Sequence, residues 1–189
     1  MTCNALVLGL GNPIMGDDGL GLAALARLAR DWDLPPSVSL VDGGTWGMNL
    51  LPQIETADQL ILLDAIRAGT PPGTLVVIER DELPRYFSLK ISPHQIDLRE
   101  VLGLAELRGT LPAAAVAIGA EPLEVELGTS LTPAVEARVE DVVLRAVDRL
   151  AHWGHRPVRR GGRSGATSQR GGSVVRRNLT HRQKRVYTP

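Results

Sequence analysis

The sequence predicts an α/β fold of three layers, in which helices cover both faces of a mainly parallel, twisted sheet of about five strands. Short apolar segments alternate along the chain with longer segments whose apolar residues recur at helical spacing. Such alternation is typical of parallel sheets. Apolar residues make up 43% of the 189 residues, which is enough for the core of one domain.

The five predicted strands are short apolar runs bounded by turn residues. The first, Ala5–Leu8, ends at a Gly-Leu-Gly-Asn-Pro turn and has no polar residue, as expected of a strand buried on both faces. The sequence leaves the strand order and the direction of the fourth strand open. The other predicted strands are Val38–Val41, Leu60–Leu63, Thr74–Ile78 and Ala113–Ile118.

Helical spacing and capping residues predict the helices between the strands. The first helix begins at Leu20, and we expect Asp17 or Asp18 to cap its free N–H groups. A short helix is predicted over Trp46–Ile54. A third begins at Ser92-Pro93-His94-Gln95, where Ser is the N-cap and Pro takes the first helical position.

The last predicted helix begins at Thr132-Pro133. Apolar residues at helical spacing mark the face that this helix turns towards the core. These residues are Val135, Val139, Val142, Val143 and Ala146.

The distribution of charge divides the chain at residue 155. Residues 156–189 contain ten Lys or Arg and no acid; subtracting these from the totals of 21 basic and 21 acidic residues leaves a balance of −10 in residues 1–155. The segment 156–189 is rich in Gly, Ser and Arg and has no apolar periodicity, so we expect a disordered tail after a domain of residues 1–155. A basic tail can contact RNA or an acidic partner, but a solvated tail without a nucleic-acid role is the simpler interpretation.

The single cysteine and the apolar runs limit the classes of protein to consider. Cys3 alone excludes a disulfide within the chain, a Cys-rich zinc site and a CxxC redox motif. The start of the sequence, MTCNALVLGLGNP, indicates a first strand rather than a secretion signal. No apolar run approaches the roughly 20 residues that cross a bilayer. We therefore expect a cytoplasmic protein that does not contact membranes.

Candidate functional residues follow the predicted strands, where ligands bind in open α/β sheets. Asp18, Asp42 and Asp64 lie at such positions, and His94 begins a helix. The positive end of the helix dipole keeps an imidazole neutral, which is its metal-binding form. Two carboxylates and an imidazole suit zinc or nickel about equally. Each residue also has a structural interpretation, as a helix cap or an exposed side chain.

Other sites agree less well with the sequence. Gly9-Leu10-Gly11 and Asp42 fit a dinucleotide site, but Ile14 occupies the third glycine position and acids stand where a pyrophosphate would bind. The sequence contains neither H-E-x-x-H nor G-x-S-x-G. NAD binding and these two hydrolase mechanisms are therefore excluded.

Five segments together resemble the maturation endopeptidases of [NiFe] hydrogenases, and they occur in the order of that family. GLGNP also begins peptidyl-tRNA hydrolases, but their Thr-Arg-His-Asn-type segment is absent here. The matching segments are GLGNPIMGDDGLGLAAL (9–25), VDGGTWGMNLL (41–51), LILLDAI (60–66), KISPHQIDLREVL (90–102) and LTPAVEARVE (131–140).

The resemblance implies an activity and a partner. Members of the family remove a C-terminal extension from the hydrogenase large-subunit precursor after nickel has been inserted. Their nickel-sensing residues correspond to Asp18, Asp64 and His94, which we take as the catalytic and metal-contacting set. The first position is often Glu in the family, and Asp remains a ligand there. Nickel then arrives with the substrate, and we expect no tightly bound metal of the enzyme's own.

The resemblance also implies a substrate-binding region, because DGGT matches a family signature suspected in substrate recognition. Either carboxylate of the metal-contacting set fits the role of general base. Two alternatives stay open: a peptidyl-tRNA hydrolase-like esterase, and a non-catalytic metal-binding chaperone on the same fold. We expect a monomer. The candidate substrate-binding residues are Gly11, Asn12, Asp42, Gly43, Gly44 and Thr45.

Overall fold

The computed structural model describes residues 3–44, 47–83, 98–161 and 185–187. Their main sheet has the strand order β3-β1-β4-β6-β5-β8, and two further strands, β2 and β7, form a separate ribbon. The strands are β1 (Ala5–Leu10), β2 (Trp32–Asp33), β3 (Val38–Gly44), β4 (Gln59–Ala65), β5 (Leu75–Glu79), β6 (Ala114–Ala120), β7 (Val158–Arg159) and β8 (Arg185–Tyr187).

The sheet is mainly parallel, as predicted. Strands β3, β1, β4 and β6 are parallel to one another, whereas β5 runs antiparallel to β6 and β8 runs antiparallel to β5. The connection from β4 to β5, residues 66–74, contains no helix. Such a short connection does not carry the chain across the sheet to a parallel position, which requires a dozen or more residues.

Helices cover both faces of the sheet, which confirms the three-layer prediction. One apolar core lies between the sheet and the helices α1 and α5, and a second core lies between the opposite face and the helices α2 and α3. The helices are α1 (Leu20–Asp31), α2 (Leu51–Glu55), α3 (Leu98–Leu107), α4 (Pro133–Glu136) and α5 (Val139–His152).

Strand β1 shows why the central strands are mainly apolar. All six of its residues are buried, and successive side chains enter opposite cores: Val7 lies in the core beneath α1, and Leu6 and Leu8 lie in the other. The register pairs Gly9 of β1 with Leu63 of β4. The carboxyl ends of these two strands are therefore neighbours.

The helices depart from the sequence prediction at their ends. No side chain caps α1, whose N-cap is Gly19, so the expected cap from Asp17 or Asp18 is wrong. The last predicted helix is divided into α4 and α5, although its predicted core face is buried as expected. The second predicted helix begins as a 3₁₀ turn at Gly47–Leu50. Trp46 and the predicted start of the third helix at Ser92 lie outside the described residues.

The described structure extends past the predicted boundary at residue 155. The backbone N–H of Arg160 donates to the carbonyl of Asp31 (2.8 Å), and its guanidinium pairs with Asp33. The Arg159 guanidinium lies 5.8 Å from the centre of the Trp32 ring. These contacts attach the ribbon of β2 and β7 to the end of α1. Within the described residues, no helix has the length and apolar character that spanning a membrane requires.

Candidate functional site

Asp64 lies near the end of β4, in the middle of the carboxyl edge of the sheet. Its relative exposure is 2%. Asp64 is paired with Gly119 of β6, where a Cβ atom would lie 1.8 Å from the Asp64 carbonyl oxygen. Only glycine permits this approach, so the backbone of β6 packs directly against the backbone of Asp64. The sequence therefore placed Asp64 correctly at the edge of the sheet.

Asp18 belongs to a 3₁₀ turn, Gly16–Gly19, between β1 and α1. Its side chain is half-buried, and Oδ2 accepts a hydrogen bond from the backbone N–H of Asn12 (2.7 Å). Gly11 has a φ of +105°, and a Cβ atom there would lie 1.8 Å from the Asp18 carbonyl oxygen. A glycine is required at this position by the turn itself, independently of any substrate.

The two carboxylate-bearing elements meet at the same edge. The 3₁₀ turn contacts β4. At the start of α1, a Cβ atom on Gly21 would lie 2.1 Å from the carbonyl oxygen of Leu63, the residue before Asp64. The close packing of α1 on the ends of β1 and β4 thus brings the loop of Asp18 to the strand of Asp64.

Asp17, by contrast, is fully buried and serves the structure. From the described residues its Oδ2 accepts hydrogen bonds from Leu123 N (2.8 Å), Glu124 N (3.1 Å) and Thr132 Oγ1 (2.9 Å), and its Oδ1 accepts one from Thr132 N (2.6 Å). Burial alone raises the pKa of Asp17, but these hydrogen bonds outweigh burial and hold the pKa below its ordinary value. The carboxylate is therefore ionised, and protein donors contact both of its oxygens.

Three of the residues proposed for substrate binding, Gly11, Asn12 and Gly44, lie in the loops beside the Asp18 turn. Gly11 N–H donates to the Gly44 carbonyl (3.2 Å), which connects the loop after β1 with the end of β3. The carbonyl of Asn12 accepts from Met15 N–H (3.1 Å), and its side-chain Oδ1 accepts from Ile14 N–H (3.2 Å). This network closes the loop around the Asp18 turn.

The end of β3 contains a bulge, because Gly9 pairs with Asp42 whereas Leu10 pairs with Gly44. The extra residue, Gly43, is buried, and a Cβ atom there would lie 3.0 Å from Leu10 Cδ2. Asp42 is exposed. Thr45, the last residue of the proposed substrate-binding set, lies outside the described residues.

The third member of the proposed triad, His94, also lies outside the described residues. The structure thus brings two of the three predicted residues, Asp18 and Asp64, to one edge. Among residues 3–44, 47–83 and 98–161, no group of three or more His, Cys, Asp or Glu is close enough to hold a metal ion. The convergence of the complete triad stays a prediction.

Sequence reasoning missed Glu121, which stabilises the loop after Asp64. This residue follows β6 and is buried, and its Oε2 accepts hydrogen bonds from Ala68 N (2.6 Å), Thr70 N (3.0 Å) and Thr70 Oγ1 (3.0 Å). An acid directly after an apolar strand was the signal that identified Asp64. The same signal was present at Glu121.

The fold and its carboxyl edge define a class: an α/β protein whose candidate catalytic groups are carboxylates on loops after parallel strands. Residues 23–149 match the model of the family described as hydrogenase maturation protease. The hydrogenase expression/formation protein HoxM of Cupriavidus necator is 41% identical over 157 residues, which cover 82% of this chain and 78% of HoxM. The hydrogenase 2 maturation protease of Escherichia coli is 37% identical over 150 residues, 79% of this chain and 92% of that protein.

A solved structure agrees with these relatives. The hydrogenase maturating endopeptidase HybD from E. coli superposes with a TM-score of 0.79 at 35% identity, covering 83% of this chain and 98% of that one. The chain therefore belongs to the hydrogenase maturation protease family, and it is a peptidase. This confirms the resemblance found in the sequence. The comparisons do not favour the esterase or chaperone alternatives.

Proposed function

We propose that this peptidase removes the C-terminal extension of a [NiFe] hydrogenase large-subunit precursor after nickel insertion, with Asp18, Asp64 and His94 contacting the nickel. The observation that carries the proposal is the meeting of the Asp18 turn with the strand of Asp64 at one edge of the sheet. Membership of the maturation protease family supports the reaction and the kind of partner.

The two carboxylates differ in a way that suits a metal carried by the substrate. Asp64 is buried, whereas Asp18 is half-buried and has one oxygen oriented by Asn12 N–H. Asp17 contributes no third carboxylate, because both its oxygens accept protein hydrogen bonds. Three ligands from three segments leave coordination positions for the precursor's own groups. We therefore propose that nickel arrives with the substrate rather than as a resident cofactor.

In the proposed reaction, a water molecule adds to the carbonyl carbon of the scissile peptide. One carboxylate of the site accepts a proton from that water, which makes the peptidase aspartic-type in mechanism. The C–N bond then breaks, and the leaving amine takes up a proton. Nickel in the precursor fixes the peptide near the carboxylates and polarises the reacting group.

The test is cleavage of nickel-loaded and nickel-free precursor, followed by gel shift and intact mass. We expect cleavage of the loaded form only, and loss of cleavage in Asp18→Asn, Asp64→Asn and His94→Ala. Asp33→Asn, which alters an exposed acid that pairs with Arg160, is the matched control and should cleave normally. Intact loaded precursor after incubation with wild-type protein would contradict the function. Normal cleavage by any one of the three site variants, His94→Ala included, would contradict the triad.

A further inference from the structure

Exposed apolar side chains are concentrated beside the proposed site. Among the described residues, Ile14, Leu123 and Leu127 are 51%, 51% and 85% exposed, and all three lie on loops at the carboxyl edge. The other exposed large apolar residues, Leu107, Leu144 and Val158, lie singly on α3, α5 and β7. Scattered exposed residues need no explanation, whereas a cluster beside a site indicates an interaction surface. We call Ile14, Leu123 and Leu127 the apolar lip.

Backbone hydrogen bonds bring the two loops of the apolar lip together. Gly128 N–H donates to the Ile14 carbonyl (3.0 Å), and Gly16 N–H donates to the Gly128 carbonyl (2.8 Å), which forms a parallel bridge between Met15 and Gly128. Ile14 and Leu127 precede the bridged residues on the two segments. In a parallel pair such residues lie side by side on one face.

The same loops hold the Asp18 turn, so the apolar lip is continuous with the site. Leu123 N–H donates to the Asp17 carboxylate, and Asp17 N–H donates to the Glu124 carbonyl (3.1 Å). These bonds fix the lip before any partner binds, and a preordered surface binds at lower entropic cost. Residues 123–128 are thus joined by hydrogen bonds to the turn that carries Asp18.

Charge beside the apolar lip indicates the kind of partner. Glu124 and Glu126 are both exposed, and residues 1–155 as a whole have a balance of −10. A segment that buries an apolar side chain on the lip and carries Lys or Arg beside it complements this surface. A second copy of this chain would bring its own Glu124 and Glu126 against the same acids if the contact were symmetric, which like-charge repulsion disfavours.

We propose that the apolar lip is the docking surface for the large-subunit precursor, which places an apolar residue flanked by basic residues against Leu127. The proposal rests on the proposed function and names the surface that the substrate uses. Because the lip lies beside the carboxylates without belonging to them, its loss should weaken precursor binding and leave the chemical step intact.

The test compares Leu127→Ser with Leu107→Ser. Both leucines are 85% exposed, but Leu107 ends α3 on the connection that leads to the start of β6, at the opposite edge of the sheet. Folding of each variant is checked by thermal unfolding. We expect Leu127→Ser to raise the KM and the Kd for nickel-loaded precursor about tenfold at unchanged kcat, as for a central interface residue. Leu107→Ser should match the wild type.

A second variant examines the charges. Glu124→Gln with Glu126→Gln should lower the association rate at low salt and flatten its dependence on ionic strength. The docking surface would be overturned if Leu127→Ser had the wild-type KM, or if Leu107→Ser raised the KM equally. Cleavage of loaded precursor by the wild type would still support the proposed function in either case. A change in the protein's own oligomeric mass at wild-type KM would also overturn it, since the lip would then join copies of this chain.

Discussion

At the scale of single residues, two adjacent acids have opposite roles because of the donors around them. Asp17 is surrounded by N–H and O–H groups from the segment before α4 and is fully buried, whereas Asp18 has Asn12 N–H and stays half-buried. The donors to Asp17 lie 106 to 115 residues away in sequence. No local pattern distinguishes the two acids, and only the resemblance to the maturation endopeptidases selected Asp18 for the site.

Replacing Asp17, the buried acid, should lower the stability of the folded protein. In Asp17→Asn an amide nitrogen replaces one carboxylate oxygen and faces at least one buried donor, which leaves that donor unsatisfied. We expect the free energy of unfolding to fall by about 3 kcal/mol, measured by urea denaturation. Asp18→Asn, at the neighbouring half-buried position, should unfold close to the wild-type midpoint. Equal midpoints for Asp17→Asn and wild type would show that the ionised form is not needed.

At the scale of elements, the segment from Leu123 to Thr132 connects β6 with α4 and also encloses the Asp18 turn. Thr132 takes part in both the start of α4 and the contact with the Asp17–Asp18 turn. It precedes Pro133 in an extended conformation (φ −65°, ψ 153°), which suits a residue before proline, and it donates from N and Oγ1 to Asp17. The helix start was predictable from Thr-Pro. Its contact with Asp17 was not, because that contact depends on the fold.

The Thr132 hydroxyl can be tested separately from its backbone. Thr132→Val removes the hydroxyl but keeps the shape of the side chain and the N–H donor, whereas Thr132→Ser keeps the hydroxyl. We expect Thr132→Val to lose about 1 kcal/mol of stability and to cleave loaded precursor more slowly, because the turn that carries Asp18 is held less firmly. Thr132→Ser should restore the cleavage rate. If the Val and Ser variants cleaved equally fast, the hydroxyl would have no part in positioning Asp18.

At the scale of the whole molecule, the carboxyl and amino edges of the sheet have different roles. The carboxyl edge carries the acids of the site, and the amino edge is closed by His155, whose ring nitrogens contact Ser37 Oγ (2.9 Å) and Gln59 Oε1 (2.7 Å). Apolar runs sufficed to predict the parallel strands. The antiparallel direction of β5 was left open, although the short connection 66–74 already indicated it. The closure by His155 joins positions up to 118 residues apart, so it could not be anticipated.

The amino edge should make stability depend on pH. Burial lowers the pKa of His155 from its ordinary value of 6.5, so the folded protein disfavours the protonated ring. The unfolded chain then binds the proton more readily, and the contribution of His155 is complete above pH 6.5 and is lost as the pH falls below it. Because Nε2–H donates to Gln59 Oε1, the neutral ring accepts from the Ser37 hydroxyl at Nδ1, and protonation puts a donor at Nδ1 in place of that acceptor. We therefore expect the thermal midpoint to fall between pH 7.5 and pH 5.5 by more in the wild type than in His155→Gln.

The control is His152→Gln, at an exposed position on α5, which should retain the wild-type difference. Identical pH dependence in all three proteins would show that His155 does not contribute.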